Sequence, residues 1–173
     1  REAIACVRHL LQQDKAPLPG DYFSLAGGDS LRWVIHRPDI PLLLGTWGAR
    51  TIAACREQVQ EIKLGGSANP AVVGWLRSLL GQADVGVVLG AVTVVAEDGQ
   101  AARQLARREV ALYLPVVAEL DPTVSLDPEM VAGLKTAVQT YDFARAASYI
   151  SDDLLARFAF AGTPEEIITQ TEA

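Results

Sequence analysis

The stretch IPLLLGTWGARTIAACREQ, residues 40–58, decides the predicted fold of this chain. Its first five residues, 40–44, form a continuous apolar run, which is typical of a parallel strand buried on both faces. The loop Gly45-Thr46-Trp47-Gly48 follows, and residues 49–58 carry the apolar spacing of a helix. A buried strand, a short glycine loop and a helix in this order form one β/α unit of a parallel sheet.

The same order of strand, loop and helix recurs three times after residue 58. Strands are predicted at residues 61–64, 85–95 and 158–161, and Gly86 and Gly90 indicate a bulge or a close backbone approach. The helix that follows the first of them begins at Asn69-Pro70, and the run Thr163-Pro164-Glu165-Glu166 has the pattern of a capping box. Four such units predict an α/β fold with a parallel sheet, organised as a single unit over residues 1–173.

Three other segments complete the predicted architecture. Residues 1–14 carry the pattern of a helix, and no capping residue stands before Arg1. Residues 22–25 and 31–35 are predicted to pair as a small excursion hairpin. Residues 98–155 are predicted to form a long helical insertion. Pro115, Asp121-Pro122 and Asp127-Pro128 are expected to divide it into at least three helices.

The composition excludes several classes of partner. The 173 residues carry a formal net charge of −6 without a basic block, so neither nucleic acid nor an anionic membrane is expected to bind. The apolar runs are shorter than the roughly 18 residues that a membrane span requires. Two cysteines and no signal-like segment favour the cytoplasm. His9 and His36 lie far apart in sequence, so no metal site is predicted.

No self-contained catalytic motif appears, and the catalytic residues stay unknown at this level. The loops after the strands are the candidate ligand sites, because parallel α/β folds bind ligands at the carboxyl ends of their strands. The loop from Gly45 to Arg50 is either an anion site or an ordinary tight turn.

Lys63 and two further loops are the other candidates. Lys63 either reaches an anion or a carboxylate, since burying it unpaired is costly, or it extends from the strand to solvent. Gly65-Gly66-Ser67 would form a second concavity for an anion. Gly162-Thr163-Pro164 is either a phosphate site or a plain helix cap.

Several segments together resemble the C-terminal half of the luciferase-like monooxygenase superfamily. The resemblance is greatest to its coenzyme F420-dependent branch, which includes the methylenetetrahydromethanopterin reductases. It is carried by the strand, glycine loop and helix start at residues 37–51, the next strand and loop at 60–70, the segment at 92–98 and the closing strand and helix at 158–166. Residues 1–23 fit the segment that precedes them.

This resemblance implies a (β/α)8 TIM-type barrel that binds F420, or alternatively the flavin FMN, at the carboxyl ends of its strands. The cofactor would exchange hydride with a small-molecule substrate above its ring. By position, Gly45, Thr46, Trp47 and Gly48 would line the phosphate or ring side of the cofactor. Lys63 would face the phosphate-bearing tail or an anionic substrate.

The resemblance also implies that the four predicted strands are the last four of eight, and a complete barrel needs about 250 residues. We therefore expect either a fragment of an F420- or flavin-dependent oxidoreductase or a naturally shortened, non-catalytic half-barrel. Open sheet edges would be covered by a partner or by self-association, so a homo-oligomer is predicted. A third hypothesis is a small α/β binding domain whose likeness to the superfamily is only one of fold.

Overall fold

The structure, a computed structural model, describes residues 1–172. Within them the chain forms eight α-helices, five strands and a short 3-10 turn at Arg56–Gln58. In chain order the elements are α1 (Glu2–Leu11), β1 (Leu43–Gly45), α2 (Ala49–Cys55), β2 (Glu61–Gly65), α3 (Ala71–Leu80), β3 (Gly86–Gly90), β4 (Val92–Val95), α4 (Gly99–Leu120), α5 (Pro128–Gln139), α6 (Phe143–Ser148), α7 (Asp152–Phe158), β5 (Ala159–Gly162) and α8 (Pro164–Glu172).

Every strand pairs in parallel with its neighbours, which confirms the predicted α/β class. One sheet has the order β1-β2-β3, with Leu43 opposite Glu61 and Glu61 opposite Gly86. The other joins β4 to β5, with Val92 opposite Ala159. Each pair of parallel strands is connected through at least one helix, because parallel strands need a crossover connection. No helix lies between β3 and β4, which do not pair with each other.

The central strand β2 separates a covered face of its sheet from an open one. Ile62 and Leu64 have no exposed surface, and they pack against α2 and α3 in a core whose other members include Ile52, Val72 and Leu76. Glu61, Lys63 and Gly65 alternate with them and are exposed on the opposite face. Side chains of a strand point alternately to the two faces, so one side of this sheet is left without covering helices.

A second core lies between β4, β5 and the helices of the insertion. Its buried members come mainly from α4 and the elements packed on it, and they include Val110, Leu114, Leu134 and the fully buried Phe158. Trp47 packs against the edge of both cores. The long helical insertion predicted for residues 98–155 is therefore confirmed, and it stabilises the β4–β5 end of the chain.

The first strand is shorter and more exposed than predicted. Residues 40–44 were expected to form a strand buried on both faces, but β1 covers Leu43–Gly45 and Leu43 is 46% exposed. Pro41 has no backbone N–H to donate to a ladder, which delays the start of the strand. Because β1 stands at the edge of its sheet, Leu43 stays partly exposed beside Val7 of α1.

The prediction of a single strand at residues 85–95 is wrong, because the structure divides this segment at Ala91 into β3 and β4. The first part pairs with β2 on one side, and the second part pairs with β5. At Gly90, where a bulge or a close backbone approach was predicted, the close neighbour is a side chain: a Cβ there would lie 2.6 Å from Cε of Lys63. The segment at residues 86–95 therefore pairs first with β2 and then with β5.

Two other predictions, the hairpin within residues 22–35 and a helix end at Pro115, are also wrong. Residues 22–25 and 31–35 form no hairpin. Leu25 instead pairs with Leu18, donating its N–H to the Leu18 carbonyl oxygen at 2.9 Å. Pro115 does not end a helix, because α4 runs from Gly99 to Leu120 with the proline inside it. Pro115 is buried in this helix, and the packing of the adjacent Leu114 in the second core offsets the missing hydrogen bond.

Candidate functional site

The loops after β1 and β2 lie side by side at the carboxyl ends of the two strands. Gly45 stands opposite Lys63 in the ladder, and the N–H of Thr46 donates to the carbonyl oxygen of Lys63 at 3.1 Å. The indole Nε1 of Trp47 donates to the carbonyl oxygen of Gly65 at 3.0 Å. The structure therefore brings the predicted loop Gly45-Thr46-Trp47-Gly48 and Lys63 together in one place.

Trp47 is held rigidly in this loop. Its ring stacks on that of Trp75, with 6.2 Å between the ring centroids and 27° between their planes. Together with the hydrogen bond to Gly65, this stacking fixes both ends of the indole. The Trp47 side chain thus sets the spacing between the first and second strand loops.

Glycines keep the open face of the sheet free of side chains beside Lys63. A Cβ added at Gly45 or at Gly65 would meet no heavy atom within 4 Å. Next to them lies an open cavity of about 460 Å³, lined by Lys63, Gly65, Gly66, Gly90 and the side chains of Tyr113 and Val117. Cavities of about 300–1,000 Å³ are typical of small-molecule sites.

Lys63 is exposed on this face, so the interpretation in which it extends to solvent describes the structure. Its Cε and Nζ lie over Gly90, 2.6 and 3.3 Å from where a Cβ of that glycine would stand. Among residues 1–172, no carboxylate or hydrogen-bond acceptor contacts its ammonium group. The side chain is a cation at the wall of the cavity with its donors directed to solvent.

The loop Gly65-Gly66-Ser67 does not form the predicted anion concavity. The N–H groups of Gly66 and Ser67 both donate to the carbonyl oxygen of Gly90, at 2.5 and 3.2 Å. The N–H of Ala68 donates to the carbonyl oxygen of Arg157 at 2.8 Å. With these donors engaged inside the protein, the loop offers an anion no cluster of unbonded N–H groups.

The loop from Gly45 to Arg50 keeps both of its interpretations. The N–H of Gly48 donates to Oγ1 of Thr46 at 3.1 Å, and no side chain caps the start of α2. Arg50 is exposed and lines a shallow depression of about 800 Å³ together with Gly48, Thr51 and Arg1. The depression borders the same loop that contacts β2.

The loop after β5 is a helix cap, and its interpretation as a phosphate site is wrong. Oγ1 of Thr163 accepts from the N–H of Glu166 at 3.3 Å, and Oε2 of Glu166 accepts from the N–H of Thr163 at 2.7 Å. Arg103 donates to the same carboxylate at 3.0 Å. The Thr163 N–H and Arg103 lower the pKa of Glu166 below its ordinary value. The carboxylate thus occupies the place that a phosphate would need.

Sequence reasoning missed Tyr113 and a buried polar network below the second loop. The hydroxyl of Tyr113 donates to the carbonyl oxygen of Phe158 at 2.9 Å, and burial raises the pKa of Tyr113 to about 12. In the network, Asn69 donates to Thr123 at 2.9 Å and Thr123 donates to Asp121 at 2.6 Å. The residues come from segments about fifty positions apart, so no local pattern indicates their contact.

Neither histidine takes part in this site. Nε2 of His9 lies 2.8 Å from the carbonyl oxygen of Ala16, and His36 is exposed. In the part of the chain that the structure describes, no three His, Cys, Asp or Glu side chains gather at distances suited to a metal ion. None of the helices of residues 1–172 combines the length and the apolarity that crossing a membrane demands.

A family model described as luciferase-like monooxygenase matches residues 1–173. The fold is similar to that of a coenzyme F420-dependent tetrahydromethanopterin reductase from Methanopyrus kandleri, with a TM-score of 0.79 and 20% identity over 99% of this chain and 52% of that one. It is also similar to an F420-dependent secondary alcohol dehydrogenase in complex with an F420–acetone adduct (TM-score 0.63, 19% identity, 99% and 50% covered). A monooxygenase from Streptomyces bottropensis is a third similar structure (TM-score 0.54, 20% identity, 99% and 48% covered).

The chain spans about half the length of these solved structures. No protein of curated function matches its sequence. At this level of identity the structural likenesses establish the fold, whereas the family match rests on the sequence itself and extends over the whole chain. The hypothesis of a likeness confined to fold is therefore wrong.

Proposed function

This chain belongs to the luciferase-like monooxygenase family, and we propose that it forms the second half of a (β/α)8 barrel with oxidoreductase activity. The proposed reaction is hydride transfer between a bound coenzyme F420, or alternatively FMN, and a small-molecule substrate. Residues 1–173 act as a single α/β unit in this proposal. The similar structures that are F420-dependent, which this chain covers for about half their length, support it.

The residues at the carboxyl ends of β1 and β2 fit the phosphate-bearing tail of such a cofactor. Gly45 and Gly65 leave the sheet face open, so the backbone is accessible to a ligand there. Lys63 supplies a positive charge that no carboxylate among residues 1–172 neutralises. An anionic group beside Lys63 would form a charge-assisted hydrogen bond with the ammonium group.

Each residue of the proposed site has a physical task. Lys63 binds the anionic tail or an anionic substrate, while Gly45 and Gly48 permit close approach of the backbone. Thr46 and Trp47 hold the loop to β2 through the hydrogen bonds to Lys63 and Gly65. Bound F420 or FMN would supply the ring that accepts or donates the hydride.

One observation carries this proposal. The loop Gly45-Thr46-Trp47-Gly48 and Lys63 lie together on the open face of parallel strands, at their carboxyl ends, beside a cavity of about 460 Å³. Ligands of parallel α/β folds bind at this end of the strands.

The test is a titration of the chain with F420 and, separately, with FMN, followed by visible absorbance and by the fluorescence of the cofactor. We expect one of the two to bind, and Lys63→Ala to weaken binding by roughly 10- to 100-fold, as loss of a charge-assisted hydrogen bond predicts. The exposed Arg37 offers a matched control, because Arg37→Ala also removes one positive charge. Absence of binding by the wild-type chain, or equal effects of both variants, would contradict the proposal.

A second candidate is a non-catalytic half-barrel stabilised by self-association or by a partner. The observation in its favour is the apolar surface along the edge strand, where Val7, Ile40 and Leu43 are 43–46% exposed. Open sheet edges of this kind favour association. A chain that associates in solution and binds neither cofactor would support this candidate.

A further inference from the structure

The outward face of α4 carries large apolar side chains where a solvent-facing helix normally carries polar ones. Leu105, Leu112, Val116 and Leu120 are 49%, 47%, 61% and 47% exposed, and we call these four residues the α4 stripe. At about 100° of rotation per residue, the first three lie within about 40° of one another around the helix axis. Contiguous exposed apolar surface marks an interaction site.

The α4 stripe is distinct from the face by which α4 joins the second core. That inward face is formed by Ala106, Val110, Leu114 and Val117, all of which are buried. The stripe residues keep 47–61% of their surface exposed among residues 1–172, although α5, α6 and α7 pack on the same helix. The helix therefore has two apolar faces, and only one of them is buried by the residues that the structure describes.

The four apolar residues of the α4 stripe have nearly the same spacing along the helix in either direction. Leu105 and Leu120 are placed almost symmetrically about Tyr113, and Leu112 and Val116 are symmetric about Leu114. These two centres differ by about 1.5 residues, which is roughly 2 Å along the helix. An identical helix laid antiparallel across this one would therefore place leucine against leucine at the ends and leucine against valine in the middle.

The charges beside the α4 stripe obey the same symmetry. Arg108 and Glu119 lie on one flank of the stripe, and the midpoint between them falls between Tyr113 and Leu114. Arg108 is exposed and forms no ion pair within residues 1–172, while the Glu119 side chain is 64% exposed and is paired only with Lys135. In an antiparallel pair of α4 helices, each Arg108 faces the Glu119 of the other copy.

We propose that a second copy of this chain docks on the α4 stripe, with the two α4 helices antiparallel about a two-fold axis near Tyr113 and Leu114. A two-fold interface brings the same patch of both subunits together, so the patch must be complementary to itself. The α4 stripe meets this requirement in its apolar residues and in its charges. The stripe does not include Tyr113 and Val117, the two α4 residues that line the cavity beside Lys63, so dimer formation and cofactor binding are tested by separate variants.

Sedimentation velocity over a series of concentrations tests the proposal, with charge reversals in the wild-type chain. We expect a concentration-dependent dimer, which Arg108→Glu and Glu119→Arg each weaken by about tenfold because two ion pairs per dimer become repulsive. The double variant R108E/E119R restores the pairs in exchanged order and should recover most of the lost affinity, although it removes the pair of Glu119 with Lys135 within each copy. Arg37→Glu, which makes the same change of charge at a remote exposed position, should have no effect.

Cysteine cross-linking provides a second measurement that does not depend on affinity. Chains with Leu112→Cys mixed with chains with Val116→Cys should form a disulfide-linked heterodimer under mild oxidation, and neither chain alone should do so to the same extent. A monomer at every concentration, a dimer insensitive to Arg108→Glu, or a double variant that does not recover would each overturn the proposal. The last two results would assign the association to another surface, such as the β1 edge, or to another helix orientation.

Discussion

Replacing Leu64 and Lys63 with alanine, one at a time, separates the two faces of β2. Leu64 has no exposed surface and packs in the core formed by β2, α2 and α3. Removing its side chain leaves a cavity, and a buried Leu→Ala change costs about 2–5 kcal/mol. Lys63 is exposed, and its side chain lies over Gly90. Its replacement should change the free energy of unfolding by no more than about 0.5 kcal/mol.

Thermal and urea unfolding followed by far-ultraviolet circular dichroism measure this difference. For a chain of this size about 1 kcal/mol shifts Tm by about 2–4 °C, so Leu64→Ala should lower Tm by roughly 5–15 °C and Lys63→Ala by less than about 2 °C. Leu43→Ala is the matched control, because Leu43 is 46% exposed at the edge strand and should lose less than Leu64. Equal losses at Lys63 and Leu64 would refute the assignment of an open and a covered face.

Four further predictions concern the turns and the second core. Gly66 has φ +82°, and a Cβ there would lie 2.9 Å from Val117 Cγ2, so Gly66→Ala should lower the free energy of unfolding by at least about 1–2 kcal/mol in urea titrations. Thr163→Ala removes one half of the capping box and should cost about 1 kcal/mol in the same assay. Phe158→Ala leaves a cavity in the second core and should lower the free energy of unfolding by about 3–5 kcal/mol. A decrease of less than about 1 kcal/mol would contradict the burial of that ring. The lowered pKa of Glu166 means that its contribution to stability is present above its ordinary pKa of 4.5 and is lost as the pH falls through the lower folded-state pKa. Tm measured against pH should therefore fall less steeply below pH 4.5 in Glu166→Gln than in the wild type, and equal slopes would contradict the lowered pKa.

Elements that depend on neighbouring residues were predictable from the sequence. The strand predicted at residues 61–64 forms as β2, and the capping box at Thr163 and Glu166 forms as predicted. Both patterns rest on contacts within a few positions of the chain. Side-chain alternation and cap geometry act at that range, so the segment needs no distant partner to adopt them.

Features that depend on a distant partner were not predictable in the same way. The donors of Gly66 and Ser67 appear available in the sequence, but the carbonyl oxygen of Gly90 engages both. A backbone donor binds the acceptor that the fold brings near, and the sequence does not list which one that is.

The sequence by itself determined that this chain is built from parallel strand, loop and helix units, and its family follows from the same residues. Only the tertiary structure decided that Lys63 stands on an open sheet face beside a cavity, that the loop after β5 is filled by Glu166, and that α4 keeps an uncovered apolar stripe. The physical reason is the distance along the chain over which each interaction acts. Apolar periodicity and helix caps act over a few residues, whereas exposure and the use of a hydrogen-bond donor depend on which remote segments pack against each residue.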